Sequence, residues 1–417
     1  MRILFFSDHF KPEPSAPAAH VYERAKIWVD NGHDVTVICA APNFPEGEVY
    51  KGYKNVWRHV EYMEGIRVVR VKTYITKNEG TVRRILDYAS YAVSSFVNSL
   101  FEKKADVIIS TSPHLFVPLG GVLSSLVRCV PHVFEIRDLW PAAISAVTNL
   151  GRGKIYRFLE RLEVWLYRRS TRVIAFTPYF KKDLVRRGIP EDKIDVVING
   201  ANLGLFGPQK NKDLTLVQEL TIADFFVVGF LGTLGLSQGL ENVVEVAELL
   251  KEEQITFLFV GVGAAKDKLV RMAIDRRLDN VVFVPRQPKE EMPRFWSVCD
   301  VSLVHLKNDP IFSTVIPSKI FESMACGKAI AYVGPEGEGS RIVEECDVGI
   351  VVPPDSPELL AAALKRLRSN HRMRRRFEEN GIALAPLFSR ENQAANTLMV
   401  LAAAAGQRAG EQEVGTP

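Results

Sequence analysis

Nothing in this chain of 417 residues is long and apolar enough to cross a bilayer as a helix. The longest nearly apolar run, residues 115–127, covers 13 residues and contains a proline and two glycines, whereas a membrane-spanning helix needs roughly 20. Cysteine is scarce. The five present (Cys39, Cys129, Cys299, Cys326 and Cys346) lie far apart with no C-x-x-C pair, which predicts a reduced, cytosolic chain with neither a disulfide frame nor a zinc cluster. One Arg precedes a strand-like run that reaches Asp8 too soon for a secretory signal. Signatures of a helix-turn-helix, zinc finger or RNA-recognition module are missing, so nucleic acid is not an expected partner.

What is present is a globular composition: 47% hydrophobic and 24% charged residues, with 28 Gly and 23 Pro spread along the chain. That excludes a disordered, collagen-like or coiled-coil protein, and the length asks for two cores. Short β-rich runs alternate with helical stretches. They fall at residues 3–7, 35–39, 68–71, 107–110, 133–136, 173–176 and 194–198, then at 227–231, 257–260, 281–284, 301–304, 329–333 and 350–352. Most are continuous apolar runs, as expected of parallel strands covered on both faces. The expected fold class is therefore α/β, with two doubly wound domains. The first takes residues 1–200, and a turn-rich linker at 201–222 separates it from the second. The second takes 223–387, followed by a last helix at 388–406 expected to return to the first domain and a disordered tail at 407–417. Ligands of such sheets bind beyond the carboxyl ends of the strands, so two facing domains are expected to enclose a central cleft lined by the loops after each strand.

Charge is uneven. Residues 1–200 carry 29 Lys and Arg against 21 Asp and Glu, and the remainder 24 against 28, which favours an anionic partner for the first half. The basic residues stud helices: Arg83 and Arg84 open one, and Arg152, Arg157, Arg161, Arg168 and Arg169 lie along the next long one. In residues 85–101 apolar side chains recur near helical spacing. That pattern predicts a surface helix packed by its apolar face on a sheet, with membrane contact as the alternative.

Four segments carry candidate chemistry. Gly232-Thr233 and the glycines that follow sit between a strand and a helix, and Gly261-Val262-Gly263 follows the next strand in the same way. Such turns let backbone N–H groups approach a phosphate. Neither turn is a full G-x-G-x-x-G, and no P-loop occurs. Around Pro317, a helix start, Ser318, Lys319 and Glu322 share one face. A lysine near a helix N-terminus opposes the dipole, which makes sense if an anion binds there. The carboxylate one turn on suits the two hydroxyls of a ribose. Glu135, Arg137 and Asp138, followed by Trp140-Pro141, leave the strand at 133–136. They suit either an acceptor hydroxyl or anion, or an Arg–Asp pair pinning the loop. His114, after the strand at 107–110, points toward the same predicted cleft, or else satisfies a loop backbone. No D-x-D, G-x-S-x-G or H-E-x-x-H occurs. Cationic side chains and amides, rather than a metal, are therefore the expected answer to phosphate charge, with no separate cofactor.

The segments 33–39 (HDVTVIC) with 41–45, 67–78 with 83–88, 134–141 (FEIRDLWP), 166–167, 199–200, 232–243 (GTLGLSQGLENV), 284–288 (VPRQP) and 316–327 (IPSKIFESMACG) resemble the GT-B-fold glycosyltransferases of family 4. The closest resemblance is to their branch of L-fucosamine transferases from O-antigen, colanic acid and capsule assembly. The resemblance implies a GT-B fold of two Rossmann-like domains, with a UDP-sugar held mainly by the second and an acceptor mainly by the first. Its donor-side residues would be Gly232, Thr233, Gly261, Gly263, Arg286, Ser318, Lys319 and Glu322. By position Glu322 matches the second carboxylate of the family's E-x7-E motif, and Thr314 occupies the first. Thr233 and Gln238 stand where commoner members carry Arg and Lys, and Arg137 where they carry His. Lys319 and Arg286 are the available replacements. The catalytic set implied is Lys319, Arg286 and Asp138, with His114, Glu135, Arg137 and Asp138 on the acceptor side. The resemblance further implies retention of anomeric configuration, with the leaving phosphate accepting the acceptor's proton. The implied donor sugar is an N-acetylated 6-deoxyhexosamine such as N-acetyl-L-fucosamine. The acceptor implied is a polyprenyl-diphosphate-linked saccharide, and the place is the cytoplasm, peripheral on the inner membrane face. Two rival readings are a UDP-N-acetylglucosamine 2-epimerase-like isomerase and a catalytically silent nucleotide-sugar binder, the latter motivated by Thr314, Thr233 and Gln238.

Overall fold

A computed structural model describes residues 1–76, 81–112, 114–139, 153–209 and 211–406. Trp140, Pro141, Arg152, residues 77–78 and the tail at 407–417, all singled out above, lie outside the described residues. The chain divides into two compact units, Met1–Ile198 together with the chain from Gln393 onward, and Asn199–Asn392.

In the first unit, strands β1 (Arg2–Phe6), β2 (Asp34–Ala40), β3 (Arg58–Met63), β4 (Ile66–Val71), β5 (Val107–Thr111), β6 (His132–Ile136), β7 (Arg172–Ala175) and β8 (Ile194–Val196) form one sheet. Their order is β3-β4-β2-β1-β5-β6-β7-β8. Every pairing is parallel except β3 against β4. The apolar runs become the buried inner strands: β5 and β6 are buried at every position. The edge strand β3 escapes that reading because none of its residues is fully buried and polar residues interrupt its apolar ones. From Gln393 the last helix, Arg390–Ala404, belongs to this unit. The Trp28 indole donates to Ala394 O at 2.9 Å, and Ala394, Val400 and Leu401 join the core around Phe5 and Trp28.

In the second unit, β9 (Phe226–Leu231), β10 (Ile255–Val260), β11 (Val281–Val284), β12 (Val301–His305), β13 (Ala329–Val333) and β14 (Gly349–Val352) form an all-parallel sheet. Its order is β11-β10-β9-β12-β13-β14. The first strand of each unit thus lies between neighbours whose connections run in opposite directions. That topological switch, at β1/β5 and at β9/β12, opens a crevice at the carboxyl ends of the strands.

The helix expected at residues 85–101 does pack on the sheet, where Tyr91 joins the core with Leu4, Ile38 and Val69, but not by the whole apolar face expected of it. It runs Thr81–Ser99, and Ser94, Ser95, Asn98 and Ser99 are on its buried side, with Tyr91 and Ala92. The neighbouring helix Phe116–Arg128 fits closely there. A Cβ on Gly120 would meet Ser95 Oγ at 2.6 Å, and Ser99 Oγ bonds Ser124 Oγ at 2.8 Å. Small residues on both helices let the backbones approach, and the large apolar Leu86 and Val93 are left outward.

Candidate active site

In the second unit the two glycine turns interlock. Gly261 has φ +150, and a Cβ there would meet Gly232 O at 2.0 Å; one on Gly263 would meet Leu234 O at 2.2 Å. The Gly232 amide donates to Val260 O at 2.9 Å and the Leu234 amide to Val262 O at 2.9 Å. Expected to face a phosphate, the Gly232 amide is therefore committed to the ladder, and the exposed Thr233 is the next residue along the turn. Farther along, the turn is latched across the switch to β12: the Lys307 amide donates to Ser237 O at 3.0 Å, and His305 Nδ1 faces Gln238 O. Burial pushes His305 down to about 4, so it is neutral and donates to that carbonyl.

Lys319 opens the helix Lys319–Ala325 between β12 and β13, and Gly327 past its end has φ +62, which suits the stop read from sequence. The Lys319 ammonium lies 3.3 Å from the centroid of the Phe230 ring of β9. A Cβ on Gly232 would sit 3.4 Å from it, so glycine at that position leaves room for the ammonium. Burial pushes Lys319 down to about 7 against the opposing pull of Glu322. Ser318 is exposed and Glu322 half-buried on the same short helix. Thr314, at the position of the family's first carboxylate, is buried and bonds Ile311 O at 2.7 Å, closing its own turn. Arg286 is exposed beyond the carboxyl end of β11, the edge strand two places from β9. The fold thus gathers Gly232, Thr233, Gly261, Gly263 and Lys319 at the end of β9 and sets Arg286 at the rim of the sheet.

In the first unit Glu135 is fully enclosed. Both its oxygens are taken by Arg24, from the helix Ala16–Asp30, and Thr111 Oγ1 donates to Oε1 at 2.7 Å. Burial would raise this carboxyl, but Arg24 outweighs it, with Arg137, and holds it at about 2. Expected on the acceptor side, Glu135 instead acts inside the unit, as the counterion of a pinned loop. Arg137 extends the network: its Nε donates to Thr111 Oγ1 at 3.0 Å, its amide to Ser112 Oγ at 2.8 Å, and its Nη1 meets His20 Nδ1 at 3.1 Å. Burial, the larger effect, pushes it down to about 10. Asp138, the next residue, is exposed. His114 is buried, stacks on Tyr88 with ring centroids 3.9 Å apart, and meets Asp8 Oδ2 at 3.2 Å.

Asp8 is one of several residues that the sequence reading passed over. It follows β1 at the switch, together with His9 and Glu13, whose side chains bond at 2.7 Å. Burial lowers His9, but Glu13 and Asp8 overcome it and raise it to about 9. Asp87, on the helix Thr81–Ser99, is pushed up to about 7 by burial and by Asp8. The signal was available, since charged and polar residues directly after the first apolar run of a doubly wound domain fall at its switch point.

Two family models divide the chain between them. The one described as "Glycosyl transferase 4-like domain" matches residues 15–200, and "Glycosyl transferases group 1" matches residues 213–384. Over 375 residues the chain is 27% identical to "Putative colanic acid biosynthesis glycosyl transferase WcaI" of Escherichia coli (strain K12), covering 88% of this chain and 92% of the relative. Sucrose-phosphate synthase from Thermosynechococcus elongatus superposes with a TM-score of 0.74 at 17% identity, over 96% of this chain and 98% of the other. HepE of Anabaena in complex with UDP gives 0.71 at 18%, over 97% and 100%. With a parallel-sheet domain matching each model in turn, the chain is an enzyme of the GT-B glycosyltransferases, a 4-like domain followed by a group 1 domain.

Proposed function

We propose that the chain transfers a sugar from a UDP-linked donor to a polyprenyl-diphosphate-linked saccharide during assembly of a surface polysaccharide. The sugar is an N-acetylated 6-deoxyhexosamine such as N-acetyl-L-fucosamine, and transfer proceeds without a metal and with retention of configuration. The observation that carries this reading is Lys319, whose amino group is held over Phe230 and against Gly232 at the switch point of the second sheet, where a bound diphosphate would keep it protonated. Breaking a sugar–diphosphate bond builds charge on the leaving diphosphate, and a fixed cation and an amide aimed there stabilise it. Lys319 and the Thr233 amide take that part, with Arg286 reaching in from the rim. Glu322 binds the ribose hydroxyls beside Ser318, and the side-chain-free surfaces of Gly261 and Gly263 let the two turns close up. On the acceptor side Arg137 is fixed by Thr111 and His20, and Asp138 orients the acceptor while the leaving phosphate takes its proton. The name of the Escherichia coli relative, which refers to colanic acid, and the UDP bound to HepE support the polysaccharide and the donor class.

The test is incubation of the full chain with a panel of UDP-sugars, UDP-N-acetyl-L-fucosamine included, and a short polyprenyl-diphosphate–N-acetylhexosamine. Mass spectrometry follows donor and acceptor. A mass gain on the lipid-linked sugar supports transfer and names the donor; a donor that is isomerised or left intact overturns it.

A further inference from the structure

The carboxyl end of β1 holds a carboxylate that the chemistry above does not use. The Asp8 side chain is 12% exposed. Its Oδ2 faces His114 Nε2 at 3.2 Å, and among the described residues none donates to Oδ1. Burial works to raise Asp8, but the bond from His114 and the charge of His9 outweigh it and keep the carboxyl below its ordinary value. Asp8 is therefore ionised. His114 is 3% exposed, is lowered by burial, and has its Nδ1 buried without a partner among the described residues. It is thus the neutral tautomer that donates from Nε2 to Asp8. Tyr88 covers the imidazole face, and Tyr91 meets its edge.

A carboxylate taken this far out of water, bound at one oxygen and open at the other, carries a desolvation cost that a ligand donor would offset. The imidazolium of His9 beside it disfavours a cation as that ligand. Among the described residues no group of three or more His, Cys, Asp or Glu is placed to hold a metal ion. A neutral hydroxyl fits, since a carboxylate accepts it in a short, charge-assisted bond. The half-buried Tyr88 that stacks on His114 offers an aromatic wall of the kind a sugar ring packs against.

We propose that Asp8 binds a hydroxyl of the acceptor sugar through Oδ1, with His114 as the positioning residue that fixes the carboxylate. The inference rests on the transferase reading, and two arms keep their failures apart. In transfer to the short polyprenyl-diphosphate–N-acetylhexosamine, Asp8→Asn lowers kcat/KM for the acceptor about 10- to 100-fold while the Kd for UDP stays unchanged. Asp8→Glu keeps the charge in the cluster but displaces the oxygens, so it serves if Asp8→Asn does not fold, and it loses the same parameter. His114→Gln retains a donor near the Nε2 position and keeps most of the activity, whereas His114→Phe retains only the stacking on Tyr88 and falls with Asp8→Asn. Variants of Asp8 within about 3-fold of the parent, or His114→Phe outperforming His114→Gln, overturn the proposal. If the parent enzyme transfers nothing from any donor, the transferase reading fails. Asp8 is then judged by NMR titration of the full chain with free N-acetylglucosamine. Broadening of the sugar methyl signal that Asp8→Asn abolishes supports the site; broadening equal in both proteins, or absent from both, overturns it.

Discussion

Arg24 and Glu135 meet through two hydrogen-bonding contacts with neither side chain exposed, across 111 residues of sequence. Removing one partner of such a pair strands the other charge out of water. The two losses are unequal here, because Arg137 lies 3.5 Å from the same carboxylate. Arg24→Met leaves Glu135 with a second cation, whereas Glu135→Gln leaves Arg24 without its carboxylate and Arg137 with only the weaker pull of Asp138. Glu135→Gln is expected to cost about 3–5 kcal/mol and Arg24→Met distinctly less. Urea unfolding of the two variants checks the order.

Gly261 leaves no room for a side chain. With φ +150 and Gly232 O 2.0 Å from any added Cβ, Gly261→Ala must push the two turns apart. The variant is expected to lose about 2 kcal/mol or more of stability and to bind UDP more weakly, since the displaced turn carries Thr233. Thermal unfolding and UDP titration read both effects. UDP binding unchanged in a destabilised protein would detach the turn from the donor.

These glycines were legible in the sequence because a strand-to-helix turn is local, and so were the parallel strands, whose burial on both faces makes them continuous apolar runs. Lys319 and Glu322 could be placed on one face by helical spacing alone. The antiparallel edge β3 was not legible, since half-exposed residues leave no apolar run. Nor was the enclosure of Glu135, because its partner Arg24 lies 111 residues away and nothing local pairs them. The Asp8–His114 pair, 106 residues apart, is hidden for the same reason.

The pH dependence of donor binding follows from Lys319. Its ordinary value of 10.5 falls to about 7 in the folded chain, through burial. Between those values the unfolded chain holds a proton that the folded chain has released, so this lysine's contribution to stability rises with pH across the window, and its full cost is present below about 7. Function runs the other way, because a diphosphate needs the ammonium. At pH 8 UDP binding is expected to take up about one proton, and affinity to fall as pH rises further. Calorimetry in two buffers of different ionisation heat measures the uptake, which Lys319→Met should abolish. Binding without uptake would mean that Lys319 does not meet the diphosphate as a cation.

Lys319 and Asp138 separate two ideas about proton transfer. If the leaving phosphate accepts the acceptor's proton, Asp138 only orients and Asp138→Asn retains measurable turnover, whereas Lys319→Ala loses about 100-fold or more in kcat. Steady-state rates with both substrates saturating give the comparison. The opposite order would make Asp138 the base and Lys319 dispensable.

The helix Thr81–Ser99 carries the last expectation. Its buried side is built of Ser94, Ser95, Asn98 and Ser99, while Leu86 is 52% exposed, Val93 61%, and Phe101 just beyond its end 66%. Packing against the sheet does not account for those outward side chains. An apolar surface beside Arg83, Arg84, Lys103 and Lys104 matches the interface of an anionic bilayer, where apolar groups enter the headgroup boundary and each basic side chain near the surface adds about 1 kcal/mol. The protein is therefore expected to co-sediment with phosphatidylglycerol vesicles and not with phosphatidylcholine vesicles. Val93→Asp with Phe101→Asp should weaken that binding and leave the Kd for UDP unchanged, since neither residue lies in the second unit. Replacing Arg83 and Arg84 with Gln should make the remaining binding less sensitive to salt. Equal partition onto neutral and anionic vesicles would remove the charge from the argument. No partition onto either would leave the outward face to another partner.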